Sequence, residues 1–482
     1  MKRVVVIGGG ISGLAAAHRL WELSRQKPDA LQITLLEAGE RLGGVIETRR
    51  QDGFLLEGGP DSFLSEKPAA VELCKRIGLE ARLLGTREEF RRSFIYLKGR
   101  LVPVPAGFYL IAPTRLEALA GTRLLSVPGK FRALLELVIP PKKGTAEEDE
   151  SVASFVRRRL GREVLDRIAQ PMIAGIYSAD PEKLSLRATF PRFLDLERDS
   201  GSVIRGLLRK QEGREKADRE ASGPRYSLFL TLRDGIGSLV DGLRRRMTGV
   251  RFRTGFSAAR IERGEKWEIF SKEGERLEAE SLLIAAPAPE AARLLGGVDS
   301  VLAAELSGIP YESVATVNLG FDQNELSDLP RGFGFVVPAV EKRNLIGCTF
   351  SSFKFAGRAT EGKILLRLFI GGAAGRGFLQ LSDSNLEQAV LRDIREILGA
   401  GNRPEFVSVR RHPSSMPQYG VGHLERVDRI FKRCEAVPGL YLAGNAYRGI
   451  GLPDCIREAE QAAERAWYHF QKCQVQSDTQ IV

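Results

Sequence analysis

The chain has 482 residues, 43% hydrophobic and 28% charged, with 72 Lys+Arg against 61 Asp+Glu, a formal net charge of +11. That length exceeds one ordinary core and predicts two or three domains of a water-soluble globular protein. No apolar run approaches the roughly 18 residues of a bilayer span. The five cysteines, Cys74, Cys348, Cys434, Cys455 and Cys473, are dispersed without C-x-x-C spacing, which excludes a disulfide framework or zinc site and reads as reduced thiols in the cytoplasm.

The positive balance suits nucleic acid, an anionic membrane face or acidic small molecules. No basic run interleaved with aromatics points to nucleic acid, and solvated arginine accounts for much of the charge. The chain opens directly on a strand, so no leader segment is expected.

That strand, Val4-Val5-Val6-Ile7, is β-branched throughout, the pattern of a parallel strand covered on both faces. It runs into Gly8, Gly10 and Gly13 in G-x-G-x-x-G spacing, and Ile11 and Ser12 open a helix that continues through Leu20. Gly8 serves a tight turn, Gly10 the approach of a pyrophosphate, and Gly13 close packing of helix on strand. The helix N-terminus, with free N–H groups and the positive end of the macrodipole, then receives the phosphates. A second strand, 32–36, ends at Glu37, near the offset expected of a carboxylate that grips ribose hydroxyls. Ala38, Arg41, Gly43 and Gly44 follow. Together these elements predict a dinucleotide site.

Asp52-Gly53 between the runs 45–48 and 54–57 signals a hairpin. Gly58, Gly59, Pro60 and Asp61 then offer a further close approach of backbone to a large ligand. Residues 65–85 read as helical, and 94–97 with 101–105 as a strand pair. The stretch 130–139, apolar with a basic start, suits a helical subdomain or a helix that also rests on a membrane surface. Residues 142–150 read as a solvated loop, Ser151 as the N-cap of a helix through Leu160, and 210–224 as another exposed loop. Strands follow at 250–253, 267–270 and 282–286, and mixed patterning fills 305–410. A last strand, 440–442, precedes glycines and a helix from Asp454 to about Phe470, with Pro453 at its start.

Glu37 alone fits NAD or FAD. The later glycine pairs and the C-terminal strand–glycine–helix unit favour flavin, because that helix N-terminus can face the anionic edge of a reduced flavin, worth roughly 0.3–1 kcal/mol. More specific are Ala174-Gly175-Ile176-Tyr177-Ser178-Ala179-Asp180-Pro181-Glu182-Lys183-Leu184-Ser185, Phe190-Pro191-Arg192-Phe193, Arg331-Gly332-Phe333-Gly334, Met416-Pro417-Gln418-Tyr419 with Gly422-His423, and Ala443-Gly444-Asn445-Ala446-Tyr447 through Pro453-Asp454-Cys455-Ile456. On these motifs and the glycine turn, nearly the whole chain resembles the flavin amine-oxidase superfamily and, within it, the porphyrinogen oxidases.

The resemblance implies an α/β fold: a Rossmann-like, glutathione-reductase-like FAD domain (1–64, 226–300, 411–474) and a mixed-sheet substrate domain (65–105, 301–410). A helical subdomain (106–215) is the candidate for membrane association. It implies six-electron oxidation of protoporphyrinogen IX or coproporphyrinogen III in heme biosynthesis, with oxygen as acceptor and hydrogen peroxide as product. Such chemistry belongs to the cofactor, so no catalytic side chain and no metal are expected.

The cofactor residues carried over are Gly8, Gly10, Ile11, Ser12, Gly13, Glu37, Ala38, Arg41, Gly43, Gly44, Gly59, Pro60, Asp61, Ala258 by its backbone, Gly444, Asn445, Ile450, Gly451 and Leu452. The substrate wall would be Gly175, Phe333, Gly334, Val336 and Phe369, of which both phenylalanines read equally as core packing. Some relatives place a propionate-binding arginine where this chain has Ser93. Arg92 is the neighbouring candidate, but side chains alternate along a strand, so it needs a shifted register. No cysteine lies between Cys348 and Cys434, so non-covalent FAD is expected. His18 reads as structural, and His412 and His423 as hydrogen-bonding groups. Expected partners are the porphyrinogen, oxygen, the inner membrane face by peripheral contact, and the next heme-pathway enzyme by handover; nucleic acid is not one. The competing readings are an amine or carotenoid oxidase, with Tyr419 and Tyr447 as an amine cage, a non-catalytic flavin-fold binding protein, and a heme-pathway scaffold.

Overall fold

The computed structural model describes residues 2–25, 31–105, 107–142, 148–209, 228–326, 328–399 and 403–479. The loop expected at 210–224 and the middle of that at 142–150 lie outside them. A five-stranded parallel sheet runs in the order Arg251–Arg253, Leu31–Leu36, Lys2–Ile7, Ser281–Ile284, Leu440–Leu442, so it gathers strands from both chain ends and the middle. The first strand is covered on both faces. Val4 and Val6 join one core with helices Ile11–Ser24 and Leu452–Thr479, while Val5 and Ile7 join another with Ile261, Trp267 and Ile269 of a three-stranded meander. Small side chains, Ala15, Ala16, Ala459, Ala462, Ala463 and Ala466, are fully buried in the first of these cores. They let the helices come close and bury backbone as well as side chain.

A seven-stranded mixed sheet runs Phe406–Pro417, Tyr311–Asp322, Lys363–Gly371, Leu345–Phe350, Gly334–Val336, Ser93–Leu97, Arg100–Pro103. Val317, Leu319, Phe335, Leu366, Leu368 and Ile370 point to one face and pack with Leu386, Val390 and Ile394 of helix Asp383–Leu398. The register Gly334↔Ser93, Gly334↔Thr349, Thr349↔Arg367, Asn318↔Arg367 and Thr316↔Phe369 sets the alternate residues on the other face.

The described residues among 116–142 and 148–209 are mostly helical and enclose a fully buried ion pair. Arg159 binds Glu136, which also accepts from Ser202 Oγ and the amides of Val203 and Ile204. Ser151 caps helix Val152–Arg159 through its Oγ, which accepts from Ser154 N. The stretch expected as one helix at 130–139 is helix Val127–Leu134 followed by a single 3₁₀ turn, Leu135–Leu137.

Other boundaries shift. The hairpin arms are Thr48–Gln51 and Phe54–Glu57, around Asp52 and Gly53, both at positive φ. The expected helix at 65–85 is helix only at Ala69–Arg76, because Gly78 at φ +79° ends it and Leu83–Gly85 pairs as a strand with Phe229–Leu232. Among the described residues no helix is long and apolar enough to cross a membrane.

Candidate functional site

The glycine turn is built as close-packing demands. A Cβ on Gly13 would fall on the carbonyl oxygen of Gly8, and one on Gly8 would lie 2.6 Å from the carbonyl oxygen of Ala285. Gly10 differs: nothing lies within 4 Å of its Cβ position, so its face is open. It is the N-cap of helix Ile11–Ser24 with no side-chain cap, which leaves the first-turn amides, those of Ile11, Ser12 and Gly13, facing that opening. Glu37 stands at the end of the second strand, its Oε2 accepting from Gly9 N at 2.6 Å and its Oε1 from Gly39 N at 2.7 Å. Those two bonds fix the carboxylate beside the turn while each oxygen keeps a lone pair for a hydroxyl. Ala38 is exposed next to it.

Four backbone elements far apart in sequence meet here. Gly43 N donates to Gly9 O at 2.8 Å, and the Cβ position of Gly44 lies 3.3 Å from Gly10 Cα. Arg41 ties this second loop shut through the carbonyls of Ile46 and Gly44 (2.8 and 2.6 Å). A Cβ on Gly59 would strike the carbonyl of Val45, so the third loop abuts the second. The C-terminal unit completes the group: the Cβ position of Gly444 lies 3.9 Å from Ala286 O, and Leu452 and Cys455 share a core with Ile11. Tyr419 clamps that unit, its hydroxyl donating to Asn445 O at 2.5 Å and accepting from Gly449 N at 2.9 Å. Ile450 and Gly451 lie between this clamp and the final helix. Burial pushes the Cys455 thiol up to about 12, an inert neighbour rather than a nucleophile.

The loop Gly58-Gly59-Pro60-Asp61 is held from the seven-stranded sheet. Asn318 Nδ2 donates to Glu57 O (3.3 Å), Thr316 Oγ1 to Gly58 O (2.8 Å), His412 Nε2 bonds Gly58 O (2.8 Å), and Arg367 donates to Gly59 O. Burial pushes the Asp61 carboxyl up, but Lys354 and Arg367 outweigh it and hold the group below the usual carboxylate range. Burial pushes the Glu57 carboxyl up to about 7, against bonds from Thr48 and Ile236. These sheet residues escaped the sequence reading apart from His412. The available signal was two polar residues, Thr316 and Asn318, alternating within an otherwise apolar strand.

Of the expected substrate wall, Gly334, Val336 and Phe369 share the sheet face that carries Thr316, Asn318 and Arg367. Gly334 has φ +135°, and a Cβ would strike Cys348 O, so the position demands glycine. Across from them, Gly175 in helix Gln170–Tyr177 has its Cβ position 3.6 Å from Val336 Cγ1. Phe333 precedes the strand, half-buried, its N–H donating to Arg92 O at 2.7 Å. The shifted register that Arg92 needs is not present: Ser93, not Arg92, pairs with Gly334. Ala258 lies two residues past the Phe256 N–H bond to Glu37 O, and its own carbonyl accepts from Arg293 at 2.6 Å. Tyr419 and Tyr447 are both buried, which leaves no open pair to cage an amine.

An open turn at Gly10, an uncapped helix start and a fixed carboxylate fit an adenine dinucleotide. A buried Gly59 whose N–H finds no acceptor among the described residues fits a ligand that continues past it. The comparison with known families decides the matter, since the model of the flavin containing amine oxidoreductases matches residues 11–466. The chain belongs to this family. Its cofactor is FAD. The oxidoreductase is 34% identical to coproporphyrinogen III oxidase of Bacillus subtilis (strain 168), over 96% of this chain and 98% of that one. It is 32% identical to chloroplastic protoporphyrinogen oxidase of Nicotiana tabacum, over 95% and 84%. A crystal structure from Exiguobacterium sp. 255-15, provisionally named a protoporphyrinogen oxidase, superposes with a TM-score of 0.84 at 34% identity, covering 96% of this chain and 98% of that one.

Proposed function

We propose that this oxidoreductase is an FAD-dependent porphyrinogen oxidase of heme biosynthesis, taking six electrons from its substrate in two-electron rounds with oxygen as final acceptor and hydrogen peroxide as co-product. The observation that supports this most is the wall formed by Gly334, Val336 and Phe369, with Gly175 opposite. This apolar wall, beside the loop 58–61, suits the face of a macrocycle, and Gly175 brings its helix into contact with Val336 there. FAD supplies the hydride-accepting chemistry when bound. The chain's residues bind and orient: the turn 8–13 and Glu37 hold the dinucleotide, 43–44 and 59–61 its middle, 444–452 the flavin end. In this reading FAD is held without a covalent link: no cysteine lies between Cys348 and Cys434, and Cys455 is buried.

Coproporphyrinogen III is the substrate to try first, as the Bacillus relative is named for it. Aerobic assay of the yellow protein with coproporphyrinogen III and protoporphyrinogen IX, followed by porphyrin fluorescence, tests the reading. A rate well above autoxidation with one of them is expected, and none with either sinks it.

The helical region adds a peripheral membrane contact to the reading. Val127, Phe131, Leu135 and Val138 are each more than half exposed and recur at helical spacing along one side. In the cytoplasm this stripe would rest on the inner membrane face. Co-sedimentation with anionic vesicles, lost in a Phe131→Ser, Val138→Ser double variant, is the expected result.

A further inference from the structure

We propose that the buried Arg367–Asp61–Lys354 network is a positioning device that aims the Gly59 N–H at the bound cofactor; it rests on the flavin reading above. A peptide unit is planar and trans, so its C=O and N–H point in opposite directions. The Gly58 carbonyl points into the sheet, where Thr316 Oγ1 and His412 Nε2 both reach it at 2.8 Å. The N–H of Gly59, in the same peptide unit, therefore points away from the sheet. Gly59 is buried, yet this N–H has no acceptor among the described residues. Buried backbone donors without a partner are rare, so this one is left for a ligand.

Arg367 holds the next peptide. Its guanidinium, 3% exposed, donates to Gly59 O, lies 3.6 Å from Asp61 Oδ2 and stacks 4.8 Å from the centroid of Phe369. Asp61 is itself tied to Lys354 at 3.4 Å and to Ser62 Oγ at 2.8 Å. One side chain thus joins the loop 58–61 to the wall that the substrate would touch. Among the described residues Arg367 Nε and Asn318 Oδ1 have no partner; the two residues sit opposite each other in register and line one cavity of about 10 Å³. That is room for about one water molecule, which would bond both groups and complete the network. A lysine cannot reproduce this: the planar fork reaches two acceptors at once, an ammonium only by moving.

Arg367→Met keeps the apolar stem and removes the fork, and Arg367→Lys keeps only the charge. Titration of apo-protein with FAD and spectroelectrochemical measurement of the flavin midpoint potential read the result without substrate. For Arg367→Met we expect FAD to bind about ten-fold more weakly, the loss of one charge-assisted hydrogen bond. We also expect a displaced potential, kcat reduced more than KM, and partial rescue in Arg367→Lys. Folded Arg367→Met with wild-type FAD affinity and potential overturns the proposal. Should that variant not fold, Lys354→Met removes only the outer leg: affinity weakened about threefold, with a smaller shift in potential, supports the proposal, and no change in either overturns it. Wild-type protein that binds FAD yet oxidises neither porphyrinogen counts against the substrate reading alone.

Discussion

The two faces of the seven-stranded sheet are made by the same strands and behave as different materials. On one, Val317, Leu319, Leu366 and Leu368 are buried at 0% exposure against Leu386, Val390 and Ile394 of a helix. On the other, offset by one residue, Thr316, Asn318 and Arg367 hold the carbonyls of 57–59, and Phe369 belongs to the proposed substrate wall. A one-residue change of register would exchange them, so the pleat alone separates stability from function.

That contrast can be broken in graded ways. The largest effect belongs to the core face: Leu368→Ala should cost about 2–5 kcal/mol of stability through lost burial and a cavity. Its FAD affinity per folded molecule should be unchanged, and a matching loss of affinity would mean that the faces are not independent. Gly334→Ala comes next: positive φ alone costs about 1–3 kcal/mol, and the clash of the new Cβ with Cys348 O adds to it. Here a raised KM for porphyrinogen should accompany the drop in Tm, because the wall itself moves. Thr316→Val removes one hydrogen bond to Gly58 O and should cost about 1 kcal/mol. Weakened FAD binding with little change in Tm is the expected signature, and the reverse pattern would put Thr316 with the core.

The smallest effect is one of slope. The Glu57 carboxyl is raised to about 7 from an ordinary value of 4.5. The folded chain binds this proton more tightly than the unfolded one, so its stabilising contribution is complete below pH 4.5 and declines as pH climbs to about 7. Wild-type Tm should therefore fall relative to that of Glu57→Gln across this window and run parallel above it. A constant gap would show that Glu57 is ionised throughout.

How much of this was legible in the chain differs by region. The first strand, the turn 8–13 and Glu37 could be read directly, because a tight turn, an open backbone and a close helix each demand a residue type at a fixed local offset. The helix over 65–85 was over-read, since its apolar residues divide between a short helix and a strand that pairs with 229–232, far along the chain. Arg92 is a candidate cation only because it adjoins Ser93, and the pairing with Gly334 shows that Ser93 occupies the wall-side position. Arg367 drew no notice inside an apolar run, where an isolated charge has no local meaning.

The sequence by itself therefore determined the dinucleotide cradle, whose requirements are steric and confined to a few neighbouring residues, and the family, whose motifs span both chain ends. Only the tertiary structure decided which alternate residues of the sheet face that cradle. Strand order and register are set by partners hundreds of positions apart, and no local pattern carries that information.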